Sequence, residues 1–579
     1  MSMKKNPLSE NAQQVAKSRY FSEQEDWESC TFRVANTISS VENGKSKMYR
    51  DIFHEMIYDR LFIPGGRILR NSGKPKGSLL NCFVVPIGDS IEEIGTCIKH
   101  SLILWSEGGG VGINFSTIRP EGDLIKGKGG TSSGLVSFIN VLNEVAQTVE
   151  SGGSRRAAAI GIVSVEHPEV LDFINAKLKH DQLNSFNISI GINNNFLDAV
   201  EEDLLWEFKF AQKTYGKLPA REIWKSIVDN MIKSAEPGII NMDNLIVNNS
   251  WYFAPIVATN PCGEVPLQNY GCCCLGSLVL PSFITGTVNT NWKLLETTIK
   301  NAVRFLDNVL DCNKYPLQEV DISSHNTRRI GLGVMGLAEY LFAKGLKYGS
   351  EKGNNEIERL FKFIRDCSYS SSIELALEKG AFPKFDNRLY PKSPFIQKLP
   401  APIRIDIKDK GIRNCTIMAA APTGTISLIA DCSSGIEPLF SKGYLRKDRV
   451  SERIYIHPRY EEILLKESDE DFDWFVDSYD LKPAEHFEVQ NVCQKYIDGS
   501  VSKTINLPHN TSSDDLSRLL LEYARDLKGT TVYRDGCRDG QIQTQITKEQ
   551  ALQYLKGKNN ISKNLTSNDV KCAIGKCDL

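Results

Sequence analysis

The sequence predicts an α/β fold with a mostly parallel sheet or barrel, and two observations carry that reading. Short apolar runs of strand length alternate with longer stretches whose apolar residues recur at helical spacing. Glycine-rich segments punctuate the boundaries, as turns at strand ends require. Residues 10–60 read as helical, with Val15, Phe32, Val34, Ile38, Phe53, Met56 and Ile57 at that spacing. A turn at Pro64-Gly65-Gly66 precedes Leu79–Pro86, an apolar run expected to be a buried strand. Ser90 is placed to cap a helix reaching Trp105, with Glu93 as its capping-box partner. Gly108-Gly109-Gly110 then ends that helix, and Val111–Phe115 reads as a second buried strand. Loops are expected at 118–134 and 151–156, with a helix over Ser137–Val149 between them. Further along, helices are expected at 293–313, 332–345, 354–379 and 512–528, and a strand at 415–420. From 541 onward the chain turns polar, with one short helix after Thr547, and reads as a flexible arm ending near Cys572 and Cys577.

The 579 residues are more than one hydrophobic core needs, so one large domain with appendages or two to four domains are expected. A net charge of −2 gives no electrostatic case for nucleic acid or an anionic membrane. No apolar run approaches the ~20 residues of a spanning helix, and the start lacks the apolar core of a secretory signal. The expected location is cytoplasmic. Fifteen cysteines spread over this length are not a secreted disulfide scaffold, and no CxxC pair argues for zinc.

Four local patterns carry chemistry. In Asn260-Pro261-Cys262-Gly263-Glu264 a carboxylate stands two residues from a thiol, so both reach one substrate atom if the backbone is extended. A turn built on Pro261 and Gly263 is the plain alternative. Eight residues after Glu264 come Cys272, Cys273 and Cys274. Second, Thr423, Gly424 and Thr425 follow a strand-like run and open a helix, as an anion site or an ordinary N-cap would. Third, the two glycine-rich loops carry Arg119, Lys126, Lys128, Arg155 and Arg156, which suit nucleotide phosphates or simply face solvent. Neither loop fits a Walker A or dinucleotide fingerprint. Fourth, Cys572 and Cys577 on a polar tail can close a disulfide and exchange it with another.

In this order the motifs resemble the large catalytic chain of ribonucleotide reductases. The segments are LSENA…RY at 8–20, LLNCFVVPIGDS at 79–90, EGGGVGINFSTIRPEG at 107–122 and GGSRRAAAIGI at 152–162. They continue with NPCGEVPLQNYGCCCLGS at 260–277, RRIGLGVMGLAEYL at 328–341 and APTGTISLIADCSSGIEPLF at 421–440, then VSKTINLP at 501–508 and TTVYRDGCRDG at 530–540. The resemblance implies a ten-stranded α/β barrel with a central finger loop over 61–540, an N-terminal helical region over 1–60 and a flexible redox-active tail over 541–579. It implies that Cys262 becomes a thiyl radical, Glu264 takes the 3′-hydroxyl proton and Asn260 holds the sugar hydroxyls. Cys82 and Cys273 are implied as the reducing pair, although the flanking Cys272 and Cys274 stand where the family has no cysteine. Along an extended segment Cys273 points opposite to both neighbours. Cys572 and Cys577 match the shuttle pair that thioredoxin or glutaredoxin re-reduces. Asn81, Gly110, Thr423, Gly424 and Thr425 match the substrate site. Asp89, Ser90, Arg119 and Lys126 match the site where a dNTP or ATP acts as allosteric effector. Gly152, Gly153, Ser154, Arg155 and Arg156 match the loop that passes its signal to the substrate base. One departure is Arg67-Ile68, where the family often has Pro-Thr.

The radical source follows from the far end of the chain. A glycyl-radical motif is absent, and where a partner-dependent enzyme has two adjacent tyrosines this chain reads Tyr533-Arg534. The segments at 8–20 and 530–540 look most like the adenosylcobalamin-dependent class, which implies a homodimer acting on ribonucleoside diphosphates. Alternatives are a catalytic subunit needing a ferritin-like metal-radical partner, a catalytically silent nucleotide-binding protein, and a zinc protein using Cys272–Cys274.

Overall fold

The computed structural model describes residues 7–125, 129–151, 155–178, 183–286, 288–447, 452–465, 472–537 and 543–564. Three helices lead, Glu10–Arg19, Trp27–Ser39 and Ser46–Tyr58. Ser9 accepts from Ala12 N at the first, and Asp26 forms a capping box with Ser29 at the second. Val34, Ile38, Phe53, Met56 and Ile57 are buried on their inner faces, as the helical spacing requires.

Seven strands form the larger sheet, in the order Cys82–Val84, Gly110–Asn114, Ala158–Ser164, Phe186–Ile192, Gly238–Asn241, Gly529–Arg534 and Thr504–Leu507. The first five run parallel. Gly238–Asn241 then meets Gly529–Arg534 antiparallel, and the last pair is parallel again. Crossover helices Ile91–Ser106, Gly134–Thr148 and Ala220–Ser234 cover this sheet, which explains the near-continuous apolar strands. A second sheet pairs Phe62–Pro64 antiparallel with Leu275–Val279, which lies parallel to Gly331–Met335. Helix Trp292–Cys312 covers it, and Glu351–Lys379 packs against that helix. Single bridges link the two sheets: Leu332 with Met418, Ala420 with Val501, and Phe83 with Cys272.

Four expectations change. The stretch 332–345 is not one helix but the strand Gly331–Met335, a turn at Gly336 (φ 77°) and a helix Leu337–Ala343. Its apolar residues fit either period, and the glycines decide. A Cβ at Gly333 would lie 2.4 Å from Ala419 O, so the strand is pressed against the 416–420 segment. The expected strand at 415–420 is present only as the bridges at Met418 and Ala420. The polar stretch after 541 is more structured than a single short helix. Gln543–Gln545 adds to the sheet of Gly443–Lys447 and Glu452–Ile456, and a helix follows over Lys548–Asn564. Ala551 and Leu555, one turn apart, bury against Leu464 and hold it down. The 118–134 loop carries a small hairpin, Leu124–Ile125 with Gly130–Thr131, and the next helix starts at Gly134. Among the described residues no helix is long and apolar enough to cross a membrane.

Candidate active site

Ala258–Thr259 and Pro266–Leu267 pair antiparallel, so residues 260–265 form the tip of a hairpin lying on the larger sheet. The tip closes on itself: Val265 N donates to Asn260 Oδ1 at 2.9 Å, and Gly263 N donates to Asn260 O at 2.9 Å. Gly263 takes φ 81°, a left-handed conformation that suits glycine. Two strand glycines make room beneath it. A Cβ at Gly112 would sit 1.9 Å from Thr259 O, and one at Gly110 would sit 2.9 Å from Pro261 Cγ and 3.2 Å from Cys82 Sγ. Gly110 and Gly112 are therefore a bed for the finger.

On this tip Asn260 and Glu264 are buried, and each keeps one polar atom without a partner, Nδ2 and Oε2. Buried polar atoms left unpaired are uncommon and mark places where a ligand's hydroxyl groups can bind. Burial pushes the Glu264 carboxyl up to about 7, against the Asn260 side chain, which favours the charged form. Cys262 has free surface because it faces a cavity of about 220 Å³, lined also by Asn187, Ser189, Thr259, Lys528 and Tyr533. Protein surrounds the thiol on its other sides; that desolvation, then Glu264 and Cys82, pushes it well above the ordinary thiol value. A neutral S–H is the form that can lose a hydrogen atom.

The three consecutive cysteines separate by alternation. Cys273 N donates to Cys82 O at 2.9 Å, and its thiol meets the Cys82 thiol. Both belong to the small apolar cluster of Val84, Ile160, Leu267 and Ala419 under the finger. Cys272 turns the other way, with Sγ 3.0 Å from Ser324 Oγ, and Cys274 donates to Leu306 O at 3.4 Å. Those two belong to the main core. Among the described residues no group of three or more His, Cys, Asp or Glu side chains could hold a metal ion.

The other residues singled out by sequence are distributed as follows. Asn81 O accepts from Gly110 N at 2.8 Å, beside Cys82. Thr423 uses its hydroxyl within the loop, accepting from Gly435 N at 2.8 Å, and Thr425 precedes a single helical turn, Ile426–Ile429. Gly424 is exposed, with open space where a Cβ would stand. Arg67, at the departure noted above, donates to Gly108 O. Asp89 binds Arg119 twice, at N and Nε, both 2.8 Å, and Ser90 caps its helix by accepting from Glu93 N. Arg155 and Arg156 lie on a two-residue strand paired with Glu150–Ser151. Lys126, Gly152, Gly153, Ser154, Cys572 and Cys577 lie outside the described residues.

Sequence reasoning missed a buried knot beneath the finger. Ser500 N donates to Glu264 O at 2.8 Å, and Lys528 Nζ donates to Asp498 O and Gly499 O at 2.7 and 2.6 Å. The Asp498 carboxylate accepts from Ile417 N and Met418 N, both at 2.8 Å, and from Tyr369 at 2.7 Å. Thus the turn 498–500 fixes the main chain of Glu264. The available signal was an isolated lysine and aspartate, each at the mouth of an apolar strand run.

Comparison with known proteins gives the family. Residues 80–533 match the family model described as ribonucleotide reductase, barrel domain. The vitamin B12-dependent ribonucleoside-diphosphate reductase of Thermoplasma acidophilum is 34% identical over 567 residues, spanning 92% of this chain and 72% of that protein. The enzyme of the same name from Mycobacterium tuberculosis H37Rv is 34% identical over 540 residues, 88% of this chain and 74% of its own. The ribonucleoside-diphosphate reductase large chain of Schizosaccharomyces pombe is 27% identical over 452 residues, spanning 70% of this chain and 55% of that one. With a matching family model across most of its length, and a thiol and a carboxylate on one finger above a second pair of thiols, the chain belongs to the ribonucleotide reductase family.

Proposed function

We propose that the protein reduces ribonucleoside diphosphates to 2′-deoxyribonucleotides by radical chemistry at Cys262, with adenosylcobalamin as the radical source. The observation that carries this is the grouping of Cys262 with Glu264 and Asn260 on one tip, above Cys82 and Cys273, which are joined by a backbone hydrogen bond and packed in one small cluster. The bridges between the two sheets support a ten-stranded barrel around the finger, over 61–540. Such an enclosure keeps solvent from a reactive sulfur.

The roles follow from position. Cys262 as a thiyl takes the 3′-hydrogen of the ribose, while ionised Glu264 takes the 3′-hydroxyl proton and Asn260 Nδ2 holds a sugar hydroxyl. The 2′-hydroxyl leaves as water with a proton from one thiol of the Cys82–Cys273 pair, the hydrogen of the other goes to C2′, the two sulfurs close a disulfide, and Glu264 returns its proton to the 3′-oxygen. Cys262 then returns a hydrogen to C3′. Thr423, Gly424 and Thr425 hold the diphosphate, with Asn81 and Gly110 beside the sugar. Cys572 and Cys577 reopen the disulfide by exchange, and thioredoxin or glutaredoxin reduces them in turn. The arm over 541–579 roots on the docked helix Lys548–Asn564. Asp89, Ser90, Arg119 and Lys126 bind the nucleotide effector, and Gly152–Arg156 relay it. Exposed Ile91, Leu102 and Val141, on the helices that follow Ser90 and the 118–134 loop, fit a homodimer face. The setting is cytoplasmic.

Cys262 keeps one open face that a radical source can reach. The cavity there is lined by Asn187, Ser189, Thr531 and Tyr533 but not by Cys82, Cys273 or Glu264, so that face is separate from the reducing pair and from the carboxylate. When bound there, adenosylcobalamin supplies the one-electron oxidation that makes Cys262 a radical. Arg534 argues against a two-tyrosine relay: its guanidinium is held by Ile232 O at 2.9 Å and His509 O at 2.8 Å. Purified protein given adenosylcobalamin and a dithiol is expected to form deoxynucleotide from a ribonucleoside diphosphate. Turnover that appears only after adding a second subunit would overturn the cofactor assignment.

The Glu264 carboxyl makes the rate depend on pH. Its value in the fold, about 7, lies above the ordinary 4.5, so burial favours the protonated form. That contribution to stability is full below the ordinary carboxyl value and is lost as pH rises through about 7. Catalysis runs the other way, because only the carboxylate accepts a proton. The rate is expected to fall tenfold per pH unit below about 7, and Glu264→Gln to lie roughly 10²–10⁴-fold lower with that limb gone. A pH–rate profile of both proteins checks this; a limb surviving in the variant assigns it to another group.

A further inference from the structure

Between the helices Asn194–Glu201 and Ala220–Ser234 the chain throws out a long hairpin, Leu205–Phe210 paired with Lys213–Pro219. Its faces are largely solvated, and Lys209 and Lys217 both pair with Glu207. It is rooted where Trp206 Nε1 donates to Val165 O at 3.2 Å and Lys209 N donates to Glu166 O at 2.7 Å. Its returning strand then reaches Asp123 of the 118–134 loop. Lys213 Nζ lies 3.0 Å from Asp123 Oδ1, and the Tyr215 hydroxyl donates to Asp123 Oδ2. Lys213 also lies 4.2 Å over the Tyr215 ring, so the two grip the carboxylate as a unit.

Asp123 occupies the base of its own loop. Its carbonyl accepts from Ser132 N at 2.8 Å, and Gly122 N donates back to Ser132 O at 3.0 Å. The next carbonyl, Leu124 O, accepts from Arg119 Nη1 at 3.1 Å, and Arg119 is held by Asp89. The six residues 119–124 therefore carry both the hairpin's grip and the Arg119–Asp89 pair. An exposed lysine–carboxylate pair alone contributes little. A phenol donating to a shielded carboxylate is the stronger interaction, and Asp123 keeps only 22% of its side chain exposed.

We propose that Asp123 is a positioning residue for effector binding: latched by Tyr215 and Lys213, it holds the 119–124 segment in the geometry that receives a deoxynucleoside triphosphate and so sets substrate choice. The inference rests on the proposed effector site at Asp89, Ser90 and Arg119. The hairpin supplies no contact to the nucleotide; it removes the cost of ordering the loop before binding.

The test uses the full chain with Asp123→Asn, Tyr215→Phe and the double variant, measuring dTTP binding by calorimetry and the ratio in which two competing ribonucleoside diphosphates are reduced. Each single variant is expected to weaken dTTP about tenfold and to flatten the dTTP-driven change in that ratio. The double variant should fall within about twofold of the singles, because one latch is lost in all three. Reduction without effector should stay within about twofold of the parent, a readout that general destabilisation would not spare. Unchanged dTTP affinity in Tyr215→Phe and Asp123→Asn, or fully additive losses, would overturn the latch. Failure of the parent protein to bind dTTP would instead overturn the effector site on which it rests.

Discussion

Replacing Cys262 with serine is expected to abolish deoxynucleotide formation while leaving the fold intact. The side chain makes none of the hydrogen bonds that close the finger; those run through Asn260, Gly263 and Val265. Its open side faces a cavity, so the smaller oxygen makes no clash and leaves at most a small gap against the protein on its other sides. Thermal or denaturant unfolding should therefore shift by less than about 1 kcal/mol. Chemistry is another matter. The neutral thiol is the one group on the tip that can give up and return a hydrogen atom, and a hydroxyl in its place does not form the needed radical. Glu264 and Asn260 retain their unpaired atoms and can still hold a sugar, yet the proton they move has no radical to follow. The loss should be at least ~10⁶-fold, the low end of what enzymes contribute over the uncatalysed reaction. The assay is conversion of a ribonucleoside diphosphate under conditions that support the parent enzyme. Turnover by Cys262→Ser above background would remove Cys262 from the centre of the mechanism.

How much of this was readable beforehand varies with the range of the interactions involved. Alternation along an extended chain is a local rule, and it separated Cys273 from Cys272 and Cys274 before any contact was known. Capping is local too: Ser90 and Glu93 meet as their spacing indicated. The run 331–343 failed because its apolar residues satisfy two periods at once. What resolves it is the approach of Ala419 to Gly331 and Gly333, from a segment some eighty residues away. The stretch after 541 failed for a related reason. Its polar composition hides a short apolar stripe, Ile546, Ala551, Leu552 and Leu555, which has meaning only against Leu464 and Tyr460. The knot of Asp498, Ser500 and Lys528 is the extreme case. No residue of it lies within two hundred positions of Glu264, so nothing local announces that it holds the finger. By sequence Gly110 reads as the end of a helix and Gly112 as part of a strand; both are strand positions, and what the sequence does not show is that they admit the backbone of the finger.

Serine at Cys273 and serine at its two neighbours should fail in opposite ways. Cys273 is the cysteine of the three whose thiol meets Cys82, and it does so from the small cluster beneath the finger. Reduction at C2′ removes two electrons from a thiol pair, and one thiol with one hydroxyl cannot close a disulfide. Cys273→Ser is therefore expected to lower steady-state turnover by at least about 10³-fold, whatever external dithiol is supplied, since proton delivery alone contributes on the order of 10²–10⁴. Cys272 and Cys274 point into the main core, toward Ser324 and the Leu306 carbonyl. A hydroxyl there keeps a polar partner but meets a pocket shaped for a larger, softer atom. Each substitution should cost about 1–3 kcal/mol of stability and leave turnover of the folded enzyme within about threefold of the parent. Paired measurements of unfolding and of steady-state rate on the three variants separate the cases. If Cys272→Ser or Cys274→Ser were the one to stop turnover with its fold intact, the reducing pair would have to be reassigned, and the contact between Cys82 and Cys273 would be packing only. The geometry argues otherwise, because a disulfide needs its two sulfurs side by side, and Cys82 has Cys273 at that place while the neighbouring thiols are engaged on the far side of the strand.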